Sequence, residues 1–154
     1  GRRTRAQYRE RGFFVMILLD TNVISEPLRP QPDARVVAWL DSLMLEDVYL
    51  SAITVAELRL GVALLPNGKK KNVLHERLEQ SILPLFAGRI LPFDEPIAAI
   101  YAQIRSHAKT QGKAIAAADG YIAATAKQHR LTVATRDTSP FFAADIAVFN
   151  PWHD

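Results

Sequence analysis

Hydrophobic positions along the chain form short apolar runs, separated by longer stretches whose apolar residues recur every three or four positions. Met16-Ile-Leu-Leu-Asp20 is such a run closed by an acid, and it predicts a buried strand. Thr21-Asn22 supplies capping residues for a short helix that Pro27 stops. Val36, Val37, Leu40, Leu43 and Met44 predict a helix over Asp33 to Leu45. Val48 to Leu50 predicts a second strand, and Thr54 to Leu65 a helix closed by Pro66-Asn67-Gly68. Lys69 to Leu83 predicts one amphipathic helix with Val73, Leu74, Leu78 and Ile82 inward. Arg89 to Phe93 is a third strand, Asp94 caps a helix through Lys109, and Ala116 to His129 forms another helix. Leu131 to Ala134 and Ile146 to Phe149 are the last strands. Strands alternating with long helical segments predict a single α/β domain, a central parallel sheet with helices on both faces. Sites in such sheets form beyond the carboxyl ends of the strands.

Composition narrows this picture. The 154 residues suit one domain, and 49% hydrophobic with 23% charged residues is the balance of a folded globular chain. With no cysteine there is no disulfide, thiolate nucleophile or cysteine-ligated metal. The longest apolar run, Phe13 to Leu19, has seven residues against the roughly 18 that span a bilayer. No membrane association and a cytoplasmic location are therefore expected.

The pI near 9.4 suggests nucleic-acid binding until the charges are located. Residues 1–15 carry five arginines against Glu10, a net of +4, so the whole-chain +3 leaves −1 for residues 16–154. The basicity belongs to a leader that has no signal-peptide features. Residues 1–15 are expected to be a non-native or upstream leader, with Met16 as the natural start and 16–154 as the domain; a basic arm gripping phosphate is the other reading.

Acids standing among residues that ought to be core carry the functional signal. Asp20 is the only charge between Gly12 and Ser25. Between Val48 and Gly68 only Glu57 and Arg59 are charged, and Glu57 shares a helix face with Ile53, Leu60, Gly61 and Leu64. It is therefore drawn inward or stands at the edge of a cleft. Asp119 is the single charge from Ala114 to Ala126, and Asp137 follows the fourth strand. Each has a plain structural reading: Asp20 as a helix cap, Asp119 as an acid in a helical first turn, Glu57 paired with Arg59, and Asp137 in a polar loop. Residues two apart on a helix do not face each other, which counts against the Glu57–Arg59 pair. An unpaired buried carboxylate costs several kcal/mol, so such groups are paired, protonated or bound to a metal. Few bases lie nearby, and a divalent cation is the economical answer.

These segments resemble a known family. Met16-Ile-Leu-Leu-Asp20-Thr-Asn-Val-Ile-Ser-Glu26 and Leu50-Ser-Ala-Ile-Thr-Val-Ala-Glu57-Leu-Arg-Leu-Gly61 are similar to the first two signatures of PIN-domain toxins of the VapC type. Ala118-Asp119-Gly-Tyr-Ile-Ala-Ala-Thr125 and Val133-Ala-Thr-Arg-Asp137 resemble the other two, and the likeness spans residues 16–154. The resemblance implies that Asp20, Glu57, Asp119 and Asp137 are the catalytic, metal-binding acids, with Thr21, Asn22 and Thr135 lining the same pocket. It implies a PIN-like fold and a Mg²⁺- or Mn²⁺-dependent endoribonuclease acting as the toxin of a type II toxin–antitoxin pair. The implied partners are an RNA substrate, a cognate antitoxin with a DNA-binding domain, operator DNA reached through that antitoxin, and a second copy of the chain. The sequence itself offers the dimer only spare apolar surface on the Ile97–Ile104 helix. Hard cations prefer oxygen ligands, which is the donor set that four carboxylates provide.

Other motifs carry less. Gly61 to Lys69 imitates a phosphate-binding loop, but six residues separate the glycines and Lys70 stands where Ser or Thr is required. His75, His107, His129 and His153 lack metal-ligand spacing. Lys69-Lys70-Lys71 is a solvated helix start or a contact to RNA backbone. Asp20-Thr21-Asn22 lacks the second acid, two residues on, of phosphatases with a strand-end nucleophile. The rival to an enzyme is a non-catalytic binding subunit that complexes the antitoxin and strengthens its grip on operator DNA.

Overall fold

Alternation within β1 (Ile17–Leu19) sends Ile17 and Leu19 into one apolar core and Leu18 into a second, so the strand is buried on both faces. The computed structural model describes residues 15–154. The expected leader therefore lies outside the described residues except for Val15, which packs against the first core. β2 (Val48–Ser51), β3 (Ile90–Leu91), β4 (Thr132–Ala134) and β5 (Val148–Phe149) complete a sheet of order β3-β2-β1-β4-β5 with every pairing parallel. Seven helices are present among the described residues: α1 (Thr21–Ile24), α2 (Ala34–Asp41), α3 (Ala52–Ala63), α4 (Lys69–Glu76), α5 (Glu95–Thr110), α6 (Ala117–His129) and α7 (Ser139–Ala143). The expected α/β sheet with two covered faces is thus observed.

Each core belongs to one face of the sheet. Val36 and Trp39 of α2 and Val55, Leu58 and Val62 of α3 fill the first, where Trp39 stacks on Phe149 at 5.1 Å. Ile97 and Ile104 of α5 join Ile122 and Ala123 of α6 in the second. These two isoleucines are 0% and 5% exposed, so the apolar surface left on that helix is Ala98, Ala99 and Ala102, with Ile100 and Tyr101 half-buried. Small residues on α6 let α5 approach closely: a Cβ on Gly120 would lie 3.0 Å from Tyr101 Cε2 and 3.1 Å from Arg105 Cδ. That contact fixes the position of the neighbouring Asp119.

Other boundaries also differ from the periodicity. The segment expected as one helix from Lys69 to Leu83 is α4, then a π-helical stretch over Arg77–Ile82 and a 3-10 turn over Leu83–Phe86 that contains Pro84. Val73, expected inward, is 52% exposed, whereas Leu78 is fully buried. α2 stops at Asp41, where Ser42 turns its hydroxyl back to the Trp39 carbonyl. α7 was unforeseen; Pro140 sits near its start, where a missing N–H costs nothing. No helix among the described residues is long and apolar enough to cross a membrane.

Candidate active site

The strand order places the crevice. From β1 the chain builds β2 and β3 to one side and β4 and β5 to the other, and the reversal between β1 and β4 opens a gap at their carboxyl ends. Asp20 follows β1 directly, and its backbone N–H still donates to the Ala134 carbonyl of β4 at 2.9 Å. Its side chain is 6% exposed and does two jobs. Oδ1 accepts from Thr21 N at 2.8 Å, which caps α1, and Oδ2 accepts from the Thr135 hydroxyl at 2.8 Å. Asp20 is thus the cap of α1, the plain structural reading, and it is buried at the same time.

The other acids arrive from separate elements. Glu57 lies on the second turn of α3, and its Oε1 accepts from the Thr21 hydroxyl at 2.7 Å. Arg59 pairs instead with Glu79 at 2.8 Å, as the helical geometry requires. Leu60 and Leu64, which share the Glu57 face, are 57% and 73% exposed, so this face is not drawn inward and Glu57 stands at the rim. Asp119 is in the first turn of α6 and is half-buried. Asp137 is exposed, in the loop after β4, where its Oδ1 receives Ser139 N–H at 3.3 Å and the Ser139 hydroxyl at 3.1 Å.

Electrostatics shows that the four sense one another. Burial pushes the Asp20 carboxyl above its ordinary value; the Thr135 and Thr21 hydrogen bonds oppose this, and Asp119 and Glu57 repel the charge further. Asp119 is also raised, by burial first and then by Asp137 and Glu57. None of the four meets a lysine or arginine at salt-bridge distance among the described residues. Among those residues, no three His, Asp or Glu side chains already converge as a cage for a metal ion. Hydroxyls and backbone amides hold Asp20, Glu57 and Asp137, whereas Asp119 is placed by its helix.

Because the native pKa of Asp20 is raised, its charge opposes folding, and the sign of the pH effect follows. The penalty is full above the raised pKa and fades as pH falls through it toward the ordinary 3.8. In chelator, Asp20→Asn should melt at a higher temperature than the parent at neutral pH, with the gap closing as acid is added. A melting series over that range checks it, and a gap that is constant or widens in acid would contradict the burial argument.

Periodicity missed a supporting layer. Ser51 caps α3 by accepting from Thr54 N at 3.1 Å, and its hydroxyl lies 3.2 Å from Thr54 Oγ1, itself 3.2 Å from Thr21 Oγ1. The hydroxyl of the fully buried Thr54 thus steadies the residue that holds Glu57. A Ser just ahead of the apolar helix, as an N-cap, was the available signal. Asn22, expected in the pocket, accepts from Arg136 N at 3.2 Å and is 3.5 Å from Asp20 Oδ2. Asn150 donates to the Arg136 carbonyl at 3.3 Å, and the Arg136 guanidinium lies over the Trp152 ring at 5.0 Å. The loop that carries Asp137 is therefore clamped from both sides.

Comparison with known proteins converges on one family. The family model described as the PIN domain matches residues 17–146. The chain is 91% identical over 139 residues to Toxin FitB of Neisseria gonorrhoeae, covering 90% of this chain and all of that protein. It is 57% identical over 137 residues to VapC ribonuclease Y4jK of Sinorhizobium fredii, covering 89% of this chain and 98% of that one. A solved structure of FitAB bound to an IR36 DNA fragment contains a similar chain with a TM-score of 0.87 and 89% identity, over 90% of this chain and 96% of that one.

Proposed function

Since the chain belongs to the PIN-domain family, we propose that it is the toxin of a toxin–antitoxin pair, a divalent-metal-dependent endoribonuclease held in check by a DNA-binding antitoxin. The observation that carries this reading is Asp20: a carboxylate 6% exposed, at the topological switch point, repelled by two further acids and lacking a cationic partner among the described residues. A fold keeps so costly a group where an ion neutralises it. The relatives support the assignment, since one is called a toxin, another a VapC ribonuclease, and a similar chain was solved in FitAB on DNA.

The donor set fits a hard cation: four carboxylates, neither thiolate nor imidazole, and small hydroxyls between them. Asp20 and Asp119 are the direct ligands in this reading, with Glu57 and Asp137 completing the site or orienting water. Mg²⁺ commonly takes only one or two carboxylates and keeps several waters, so a ready-made cage of three acids is not required. When bound, the ion neutralises charge on the phosphate and lowers the pKa of water. The chain's own residues position that chemistry. Thr135 and the Thr21 amide fix the two oxygens of Asp20, the Thr21 hydroxyl turns Glu57 toward the cleft, and Ser139 orients Asp137. Without the ion the four acids repel an RNA phosphate.

Asp119→Asn should abolish Mn²⁺ binding by calorimetry while the circular dichroism spectrum and melting transition survive, because Asn has nearly the same shape. Unchanged Mn²⁺ binding would remove Asp119 from the site. The second reading, a subunit that chiefly strengthens an antitoxin's hold on operator DNA, is supported by the similar chain in the DNA-bound FitAB structure. The two are compatible. RNA cleavage by the free chain, lost in Asp20→Asn, separates an enzyme from a binding subunit alone.

A further inference from the structure

Two adjoining cavities lead away from Asp137. The first, ≈ 480 Å³, is walled by Lys113, Asp137, Ser139, Pro140, Phe142 and Ala143. The second, ≈ 540 Å³, shares Lys113, Phe142 and Ala143 with it and continues past Lys127, His107 and Gln103. Together they form a trough that starts at an acid of the cleft and runs between the end of α5, α6 and α7. We propose that this trough carries the single-stranded RNA to one side of the scissile phosphate, with Lys113 and Lys127 on its backbone and Phe142 stacked beneath a base. The inference rests on the nuclease reading of the cleft and adds the path of the substrate.

Three features carry it. Charge shifts along the path: the cleft is acidic, residues 16–154 have a net charge of −1, yet beyond Asp137 the trough presents Lys113 and Lys127 against Asp145. Neither lysine is in a salt bridge among the described residues. By contrast Lys71 of the Lys69–Lys71 run is used by the fold, its Nζ donating to the Ala63 carbonyl at 3.0 Å and capping the end of α3. The second feature is Phe142, 67% exposed on a five-residue helix whose neighbouring Phe141 is fully buried. An aromatic face displayed between cations is how proteins hold single strands without reading sequence, because every base has a face to stack. The third is continuity, since the cavity that contains Phe142 and Lys113 also contains Asp137. A strand whose phosphate is at the acids has this trough as its neighbour.

The test is binding, measured apart from cleavage. A fluorescein-labelled 12-nucleotide single-stranded RNA is titrated with the full chain in chelator, by anisotropy, across a salt series. Lys113→Gln with Lys127→Gln should weaken binding about tenfold at low salt and flatten the log Kd against log salt slope by about 1.4, two phosphate contacts' worth. Phe142→Ala should weaken binding roughly tenfold and leave that slope unchanged. Lys69→Gln with Lys70→Gln removes the same charge elsewhere and should do neither. Equal loss in that control pair, or binding unchanged by the trough substitutions, would overturn the proposal. So would weakened antitoxin binding with RNA binding intact, which would give the trough to the antitoxin. Cleavage of the same RNA with Mg²⁺ is scored separately, so a trough that binds and a cleft that does not cut are told apart.

Discussion

Replacing Asp20 by Asn should lower RNA cleavage by at least about a thousandfold and leave the chain folded, with metal-free stability at neutral pH above that of the parent. The two halves of this expectation come from one geometry. Asn keeps the shape and the oxygen that accepts from Thr21 N, and its amide can donate to Thr135 Oγ1, whose own hydroxyl then turns to the Asp137 carbonyl 3.3 Å away. The hydrogen bonds survive while the buried charge disappears, which removes a penalty of several kcal/mol or less. The same change removes a negative ligand from the proposed ion site, and chemistry that depends on charge neutralisation at phosphate fails with it. Activity lost together with stability would instead mark Asp20 as a structural cap, its other documented task here.

The second large effect lies in the partner. A cleft carrying up to four negative charges attracts a guanidinium, whose planar fork suits bidentate contact with carboxylates. Inhibition by the antitoxin is therefore expected to depend on one of its arginines, which enters the cleft and competes with the ion. Replacing each antitoxin arginine outside its DNA-binding domain by alanine in turn should find at least one that weakens inhibition by about 2–5 kcal/mol, roughly thirtyfold or more. Raising Mn²⁺ should ease inhibition by the unaltered antitoxin. If no arginine matters and the ion has no effect, the antitoxin blocks RNA elsewhere on the surface.

Much of the site was legible because its signal is local. A lone acid closing an apolar strand, or interrupting an alanine-rich helix, stands out wherever the fold carries it, and Asp20, Glu57 and Asp119 were found that way. Asp137 has no apolar frame and was marked only by its place just past the fourth strand, and by the resemblance. What gathers the four was not legible at all: the reversal of strand order between β1 and β4, and the hydroxyl relay from Ser51 through Thr54 and Thr21, arise from contacts distant in sequence. Helix faces were misread where tertiary context decides. Val73 looked inward yet is exposed, because periodicity identifies an apolar stripe without saying what covers it. The break at Arg77–Ile82 escaped notice because a π-helical stretch barely disturbs the apolar pattern.

The central claim is that these acids form a divalent-ion-dependent ribonuclease site, and one time course tests it most directly. The purified full chain, free of antitoxin, is incubated with defined single-stranded RNA while Mg²⁺ or Mn²⁺ is raised from chelated to millimolar levels, with Asp20→Asn in parallel. The account predicts no cleavage in chelator, cleavage that rises and saturates with the ion, and none from Asp20→Asn at any concentration. Cleavage that persists in chelator, or that Asp20→Asn retains at the parent's rate, would contradict it.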